Sequence, residues 1–289
     1  MTANPIDRRR LIGMGLAAMA LAVPGAAGAG SPPFASRRIS VVTRGAGPDV
    51  ILIPGLDSSR SIWAGTVAAV PGYRYHLVQL AGFGGTAPED NGTGPVIAPV
   101  VDEIARYIRA AGLRSSAIVG HSMGGSMAMM LAARHPALAG RIMVVDMLPA
   151  PAGLFGAAPA SLGPLAGRLR DTLTGTAEGQ RMMDSLMRLF GDGPAVAAAE
   201  RSDRAVTANA LHDLATIDLT GALPRIAAPI TVVYANAESQ PLIDRTYRSA
   251  YAGARGATLI AIPQSGHMVM FDQPARFQAA LRTFLKGGN

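Results

Sequence analysis

The chain has no cysteine, one tryptophan and one lysine, and only 5% of its 289 residues are aromatic. The missing thiols exclude disulfides, zinc–thiolate sites, a cysteine nucleophile and a lipidated cysteine near the amino terminus. Scarce aromatics also weigh against nucleic-acid binding. The formal charge is +7, but it comes from scattered arginines, with no basic stripe interleaved with stacking rings. No unit repeats at a fixed period, and beyond the amino-terminal stretch no apolar run is long enough to cross a bilayer. Nor is charge abundant: 16% charged against 49% hydrophobic residues argues for a packed core rather than disorder.

What is present begins with a leader. Arg8-Arg9-Arg10 precede a weakly apolar Ala/Leu/Gly/Met run that stops at Pro24, followed by the small residues Gly25 to Gly30 with Ala27-Gly28-Ala29 among them. A basic start, a short apolar middle and an Ala-x-Ala end describe a secretory signal, and the paired arginines with mild hydrophobicity resemble a twin-arginine export signal. Residues 1–29 are therefore expected to be removed, leaving no stable membrane span, and the periplasm or the medium is the expected location. About 260 residues then remain, enough for one large α/β domain.

Short apolar runs alternate with helical periodicity through that domain, residues 37–289. Strands are expected at Ile39–Thr43, Val50–Ile53, Tyr75–Leu80, Ser116–Val119, Ile142–Val145, Ile230–Tyr234 and Thr258–Ile262. Helices are expected at 97–111, 124–134, 242–250 and 274–285. Alternation of this kind implies a mainly parallel sheet covered on both faces. Between about 149 and 228 the pattern loses its strands, and Met182, Met183, Leu186, Met187 and Phe190 share a helical face. A helical cap over the sheet is expected there, its methionines mostly filling the seam with the core.

One constellation carries chemistry. Gly120-His121-Ser122-Met123-Gly124-Gly125 contains Gly-x-Ser-x-Gly between an apolar strand and a helix, the setting in which a serine is held exposed on a sharp turn. Small neighbours permit the strained backbone, and the helix N-terminus favours negative charge developing beside Ser122. A serine hydroxyl needs a base. His267 follows the last strand by a short loop and can reach above the sheet, which makes it the expected general base. His76 lies in a strand, His135 ends a helix, His212 falls in the cap, and His121 is expected to shape the pocket.

With Ile53-Pro54-Gly55-Leu56, Ser58-Ser59, Trp63 and Ser265-Gly266-His267, these residues resemble the α/β-hydrolase superfamily across nearly the whole mature chain. The resemblance implies an α/β fold with a mainly parallel central sheet. It also implies a third catalytic member, a carboxylate orienting the histidine, usually after the strand beyond the cap. That stretch reads Tyr234-Ala235-Asn236-Ala237-Glu238, with alanine in place of the usual glycine and glutamate in place of the usual aspartate. Glu238 is the expected acid, Asp146 the alternative at the end of the strand before the cap, and Asp244 a third. By the same resemblance the oxyanion hole uses the backbone N–H groups of Leu56 and Met123, and Trp63 belongs to the core. Gly82-Phe83-Gly84-Gly85 resembles the family's loop after its next strand and is not a phosphate cradle, since no helix starts directly after it.

The expected function is that of an exported serine esterase acting on a small-molecule ester through an acyl-enzyme, with no metal or organic cofactor implied. Leu154, Phe155, Leu186, Met187 and Phe190 suggest an apolar acyl or alcohol part. Lactone, aminopeptide or carbon–carbon hydrolysis on the same fold are the alternatives, and a non-catalytic ligand-binding protein is the rival of another class. A serine nucleophile argues against the dehalogenase and epoxide-hydrolase chemistries of this superfamily, which use aspartate.

Overall fold

A computed structural model describes residues 34–152, 167, 181 and 201–287. The expected leader lies outside the described residues, as does most of the cap, with Leu154, Phe155 and the Met182 to Phe190 face.

Among the described residues seven strands form one sheet in the order β1-β3-β2-β4-β5-β6-β7. They are β1 (Ile39–Arg44), β2 (Asp49–Ile53), β3 (Arg74–Leu80), β4 (Ser116–His121), β5 (Ala139–Val145), β6 (Ile230–Asn236) and β7 (Thr258–Pro263). Only β1 runs antiparallel, against β3. Every other pairing is parallel. The helices are α1 (Ala64–Ala69), α2 (Ile97–Ala110), α3 (Met123–Arg134), α4 (Arg204–Thr216), α5 (Pro241–Ala250), α6 (Val269–Asp272) and α7 (Pro274–Lys286). The expected strands and helices therefore recur with ends moved by at most three residues, the largest shift being at the start of β5. The short α1 and α6 were not anticipated.

Continuous apolar runs in the central strands follow from burial on both faces. Successive side chains alternate between two cores. Ile51, Ile53, Ile118, Ile142 and Val144 point toward the core shared with α2, α3 and α5. Val50, Leu52, Val119, Met143 and Val145 point toward the core shared with Trp63 and α7. Helix α2 holds its place because Ile97, Val101, Ile104 and Ile108 recur at helical spacing and are all buried. Of the expected cap, α4 is described; Asp203 caps it by accepting from the N–H groups of Ala205 and Val206 at 3.0 and 3.1 Å.

Trp63 belongs to the second core and is fully buried, its ring 6.3 Å from that of Phe277 on α7. As the chain's only tryptophan, it reports on this packing directly. Phe277→Ala is expected to cost about 3–5 kcal/mol of stability. Urea unfolding followed by Trp63 emission measures it, and a loss below about 1 kcal/mol would contradict the packing described.

Candidate active site

The sheet positions the site through two residues that stand just beyond the carboxyl ends of neighbouring strands. His121 at the end of β4 pairs with Val145 at the end of β5, so the next residues, Ser122 and Asp146, are level with each other. Both backbones turn at φ 53, in the left-handed region that side chains rarely enter. Both remain tied to the sheet: Ser122 N–H donates to Val145 O and Asp146 N–H to Val233 O, each at 2.8 Å. The ladder thus holds each residue while its side chain is turned off the end of its strand.

Glycines make the serine corner possible. A Cβ on Gly120 would stand 2.0 Å from Gly124 O, and one on Gly124 would stand 2.4 Å from Ile53 O. The space between β4, α3 and the end of β2 thus has room for backbone alone. Gly55 lies against the corner from the other side, where a Cβ would come within 3.1 Å of both Ser122 Cβ and His121 Nδ1. Ser122 itself is 8% exposed at the head of α3. Met123 opens that helix, and its N–H is among those a helix leaves without an intrahelical acceptor. Leu56, buried, sits in the loop after β2.

His267 arrives from the loop after β7. Its Nδ1 lies 2.7 Å from Asp146 Oδ2. The other carboxylate oxygen, Oδ1, accepts from Ala235 N–H at 2.8 Å and from the Tyr247 hydroxyl at 3.0 Å. Tyr247 stays a donor because burial, and then the adjacent Asp146 charge, raise its phenol well above the ordinary tyrosine value. Three donors from β6, α5 and the base loop therefore converge on one carboxylate.

Glu238 is not part of this cluster, which corrects the expectation that it orients the imidazole. Its side chain is exposed and accepts from Gln240 Nε2 at 2.7 Å. The physical reason is the turn after β6. Asn236 Oδ1 accepts from Gln240 N–H at 2.7 Å, and Asn236 Nδ2 donates to Gln240 O at 3.2 Å and to Asp244 Oδ1 at 3.0 Å. That closure leads the chain straight into α5 and leaves Glu238 on the outside. Asp244 is occupied with Asn236 and with the Tyr234 hydroxyl at 2.8 Å. Asp146 is the carboxylate on His267. Its sequence signal is an apolar strand ending in an acid, one strand over from the serine; Tyr247 has no comparable signal.

His121, which was expected to shape the pocket, lies between the loop after β2 and the loop after β7. Its Nε2–H donates to the carbonyl of His267 at 3.0 Å, and its ring centroid lies 4.7 Å from that of His267. The ring is buried, with Nδ1 facing Gly55 and lacking a hydrogen-bond partner among the described residues. Burial, reinforced by neighbouring His267, lowers its pKa to about 3. The base loop is tied further by Gly266 N–H to Asp272 Oδ2 at 2.8 Å and Gln273 Nε2 to Gln264 O at 2.9 Å. In the Gly82–Gly85 loop, backbone N–H groups bind the protein itself, through Thr86 Oγ1, Ser202 Oγ and Arg201 O.

The chain is similar to known proteins. A family model described as the alpha/beta hydrolase family matches residues 50–280. The chain is 25% identical over 255 residues to a pimeloyl-(acyl-carrier protein) methyl ester esterase of Aliivibrio fischeri (strain MJ11), covering 84% of this chain and 95% of that one. It is 27% identical over 273 residues to the corresponding esterase of Aeromonas hydrophila subsp. hydrophila, covering 86% and 99%. Among solved structures, the enol-lactonase from Burkholderia xenovorans LB400 superposes with a TM-score of 0.69 at 18% identity, covering 86% of this chain and 96% of that one.

The His121 environment generates a pH prediction. A histidine whose folded pKa lies below its unfolded value takes up fewer protons folded than unfolded, so its contribution falls as pH drops from about 6.5 toward 3. The stability advantage of wild type over His121→Asn should therefore shrink on acidification through that window. Urea midpoints at stepped pH test this; a difference that grows as pH falls would refute a buried neutral imidazole.

Proposed function

The chain belongs to the α/β-hydrolase family, and from that premise we propose that it is a serine hydrolase cleaving a carboxylic ester through an acyl-enzyme. The observation that carries this reading is the 2.7 Å bond between His267 Nδ1 and Asp146, one strand away from a serine held at φ 53. An imidazole bound at Nδ1 keeps Nε2 for the reacting proton.

Ser122 Oγ attacks the ester carbonyl carbon while His267 Nε2 accepts its proton, and the Asp146 carboxylate stabilises the imidazolium. The carbonyl oxygen becomes the oxyanion and takes hydrogen bonds from the N–H groups of Leu56 and Met123, with the N-terminus of α3 adding favourable field. As the tetrahedral intermediate collapses, His267 returns the proton to the departing alkoxide and an alcohol leaves. Water then adds to the acyl-enzyme with His267 again as base, releasing the acid and regenerating Ser122.

Ester hydrolysis is supported by the relatives that match along most of their length and are named methyl ester esterases. An apolar acyl or alcohol part suits the neighbours of the reacting groups: Leu56, Met123, Met147, Leu148 and Met268 are all buried and carry no charge. On this reading the enzyme is exported, a proposal that rests on the arginine-led leader and Ala27-Gly28-Ala29.

Hydrolysis of p-nitrophenyl esters and labelling by a fluorophosphonate probe should both vanish in Ser122→Ala; equal rates in wild type and variant would refute the catalytic reading. Asp146→Asn should lower kcat on the order of 10³–10⁴-fold, by analogy with the aspartate of the serine-protease triad. Glu238→Gln should remain within about threefold of wild type, as expected of an exposed residue remote from the chemistry. The reverse ranking would return the acid to Glu238. A panel of esters, lactones and aminoacyl amides ranked by kcat/KM identifies the preferred acyl group.

A further inference from the structure

Asp57 follows Leu56 in the loop after β2, and its position is unusual for an acid. It takes φ 53 and is 2% exposed. A buried carboxylate normally has a cation or several N–H donors around it. Asp57 has neither among the described residues. Its side-chain partners are hydroxyls: Thr207 Oγ1 is bonded to Asp57 Oδ1, and Ser202 acts on the same carboxyl. Ser202 Oγ also reaches the Asp57 carbonyl at 3.4 Å.

Among the described residues, the charged groups on the surrounding elements do not compensate. Arg60 turns its guanidinium to Ser40, Arg201 and Arg204 are exposed, and the Asp203 carboxylate is engaged with the N–H groups at the start of α4. Across the corner, His121 is neutral, and His267 is bonded to Asp146 through Nδ1. Desolvation accordingly pushes the Asp57 carboxyl up to about 7.

The hydroxyl geometry accommodates a proton on this acid. Thr207 has one hydroxyl proton, yet its Oγ1 lies both on Asp57 Oδ1 and 3.0 Å from Asp203 O one turn earlier. If Asp57 is ionised, that proton goes to Asp57, and the Asp203 carbonyl keeps the helical Thr207 N–H, also at 3.0 Å. If Asp57 carries a proton, the chain closes: Asp57 O–H donates to Thr207 Oγ1, and Thr207 O–H donates to Asp203 O.

We propose that Asp57 is a positioning residue that works as a neutral carboxylic acid, its proton fastening the Leu56 turn to α4 through Thr207. Loss of the proton leaves a bare charge one residue from the Leu56 N–H. That charge opposes an oxyanion there and loosens the turn that presents the donor. The role in catalysis rests on the function proposed above; the proton on Asp57 does not.

The test compares wild type with Asp57→Asn, whose amide supplies a neutral donor in the same place. For p-nitrophenyl ester hydrolysis, wild-type kcat should fall about tenfold as pH rises through 7, with KM changing less than about twofold. Asp57→Asn should keep kcat within about threefold of wild type at pH 6 and lose that alkaline fall. A fall that persists in Asp57→Asn overturns the proposal, as does an Asn variant that is inactive or unfolded at pH 6.

Urea midpoints without substrate give the second arm. An acid whose folded pKa is raised from 3.8 to about 7 stabilises the fold fully below pH 3.8, and loses that contribution as pH rises through 7. Relative to Asp57→Asn, wild type should therefore lose stability from about pH 4 to 7. A difference flat with pH overturns the buried proton. A wild type that hydrolyses no ester overturns the proposed function and the positioning role together, while the urea arm still decides where the proton resides.

Discussion

The site depends on how closely three backbones approach each other around Ser122. Strand β4 must end, the chain must reverse into α3, and the end of β2 must lie against both. No side chain fits in that space, since a Cβ on Gly120 or Gly124 would stand well inside contact distance of a carbonyl oxygen. Once those glycines allow the approach, much else follows from sheet geometry. Parallel pairing of His121 with Val145 puts Asp146 level with Ser122. The loop after β7 then has to bring an imidazole across to that level, and His121 secures it by binding the His267 carbonyl.

Most of the fold was legible in the sequence because buried parallel strands leave a strong signal: short apolar runs such as Val50–Ile53 and Ile142–Val145, each bounded by turn residues. The places of Ser122 and His267 were legible for a related reason, as each lies in the segment that follows a strand. The acid was not. Asp146 and Glu238 both lie beyond strand ends, and choosing between them requires knowing which way the chain leaves β6. The Asn236 side chain decides that by closing on Gln240, a contact with no periodicity to announce it. Helices α1 and α6 escaped notice because six and four residues are too few to establish a pattern. Asp57 and Thr207 are separated by 150 positions, and nothing local in either stretch points to the other.

Two aspartates flank the serine corner, and their environments suit opposite forms of the same group. Asp146 meets donors only: an amide N–H, a phenol and an imidazole, each with its own proton to give. Such a shell matches an acceptor with no proton of its own, which is what a developing imidazolium requires beside it. Asp57 meets hydroxyls, one of which also lies 3.0 Å from the Asp203 carbonyl. That shell matches an acid able to donate. The difference also suits the electrostatics of the acyl transfer proposed for this site, in which positive charge would grow on His267 while negative charge would grow on the carbonyl oxygen. A carboxylate next to the first stabilises the transition state; a carboxylate next to the second would oppose it. Keeping Asp57 neutral is thus the condition under which an acid can occupy that side of the site at all.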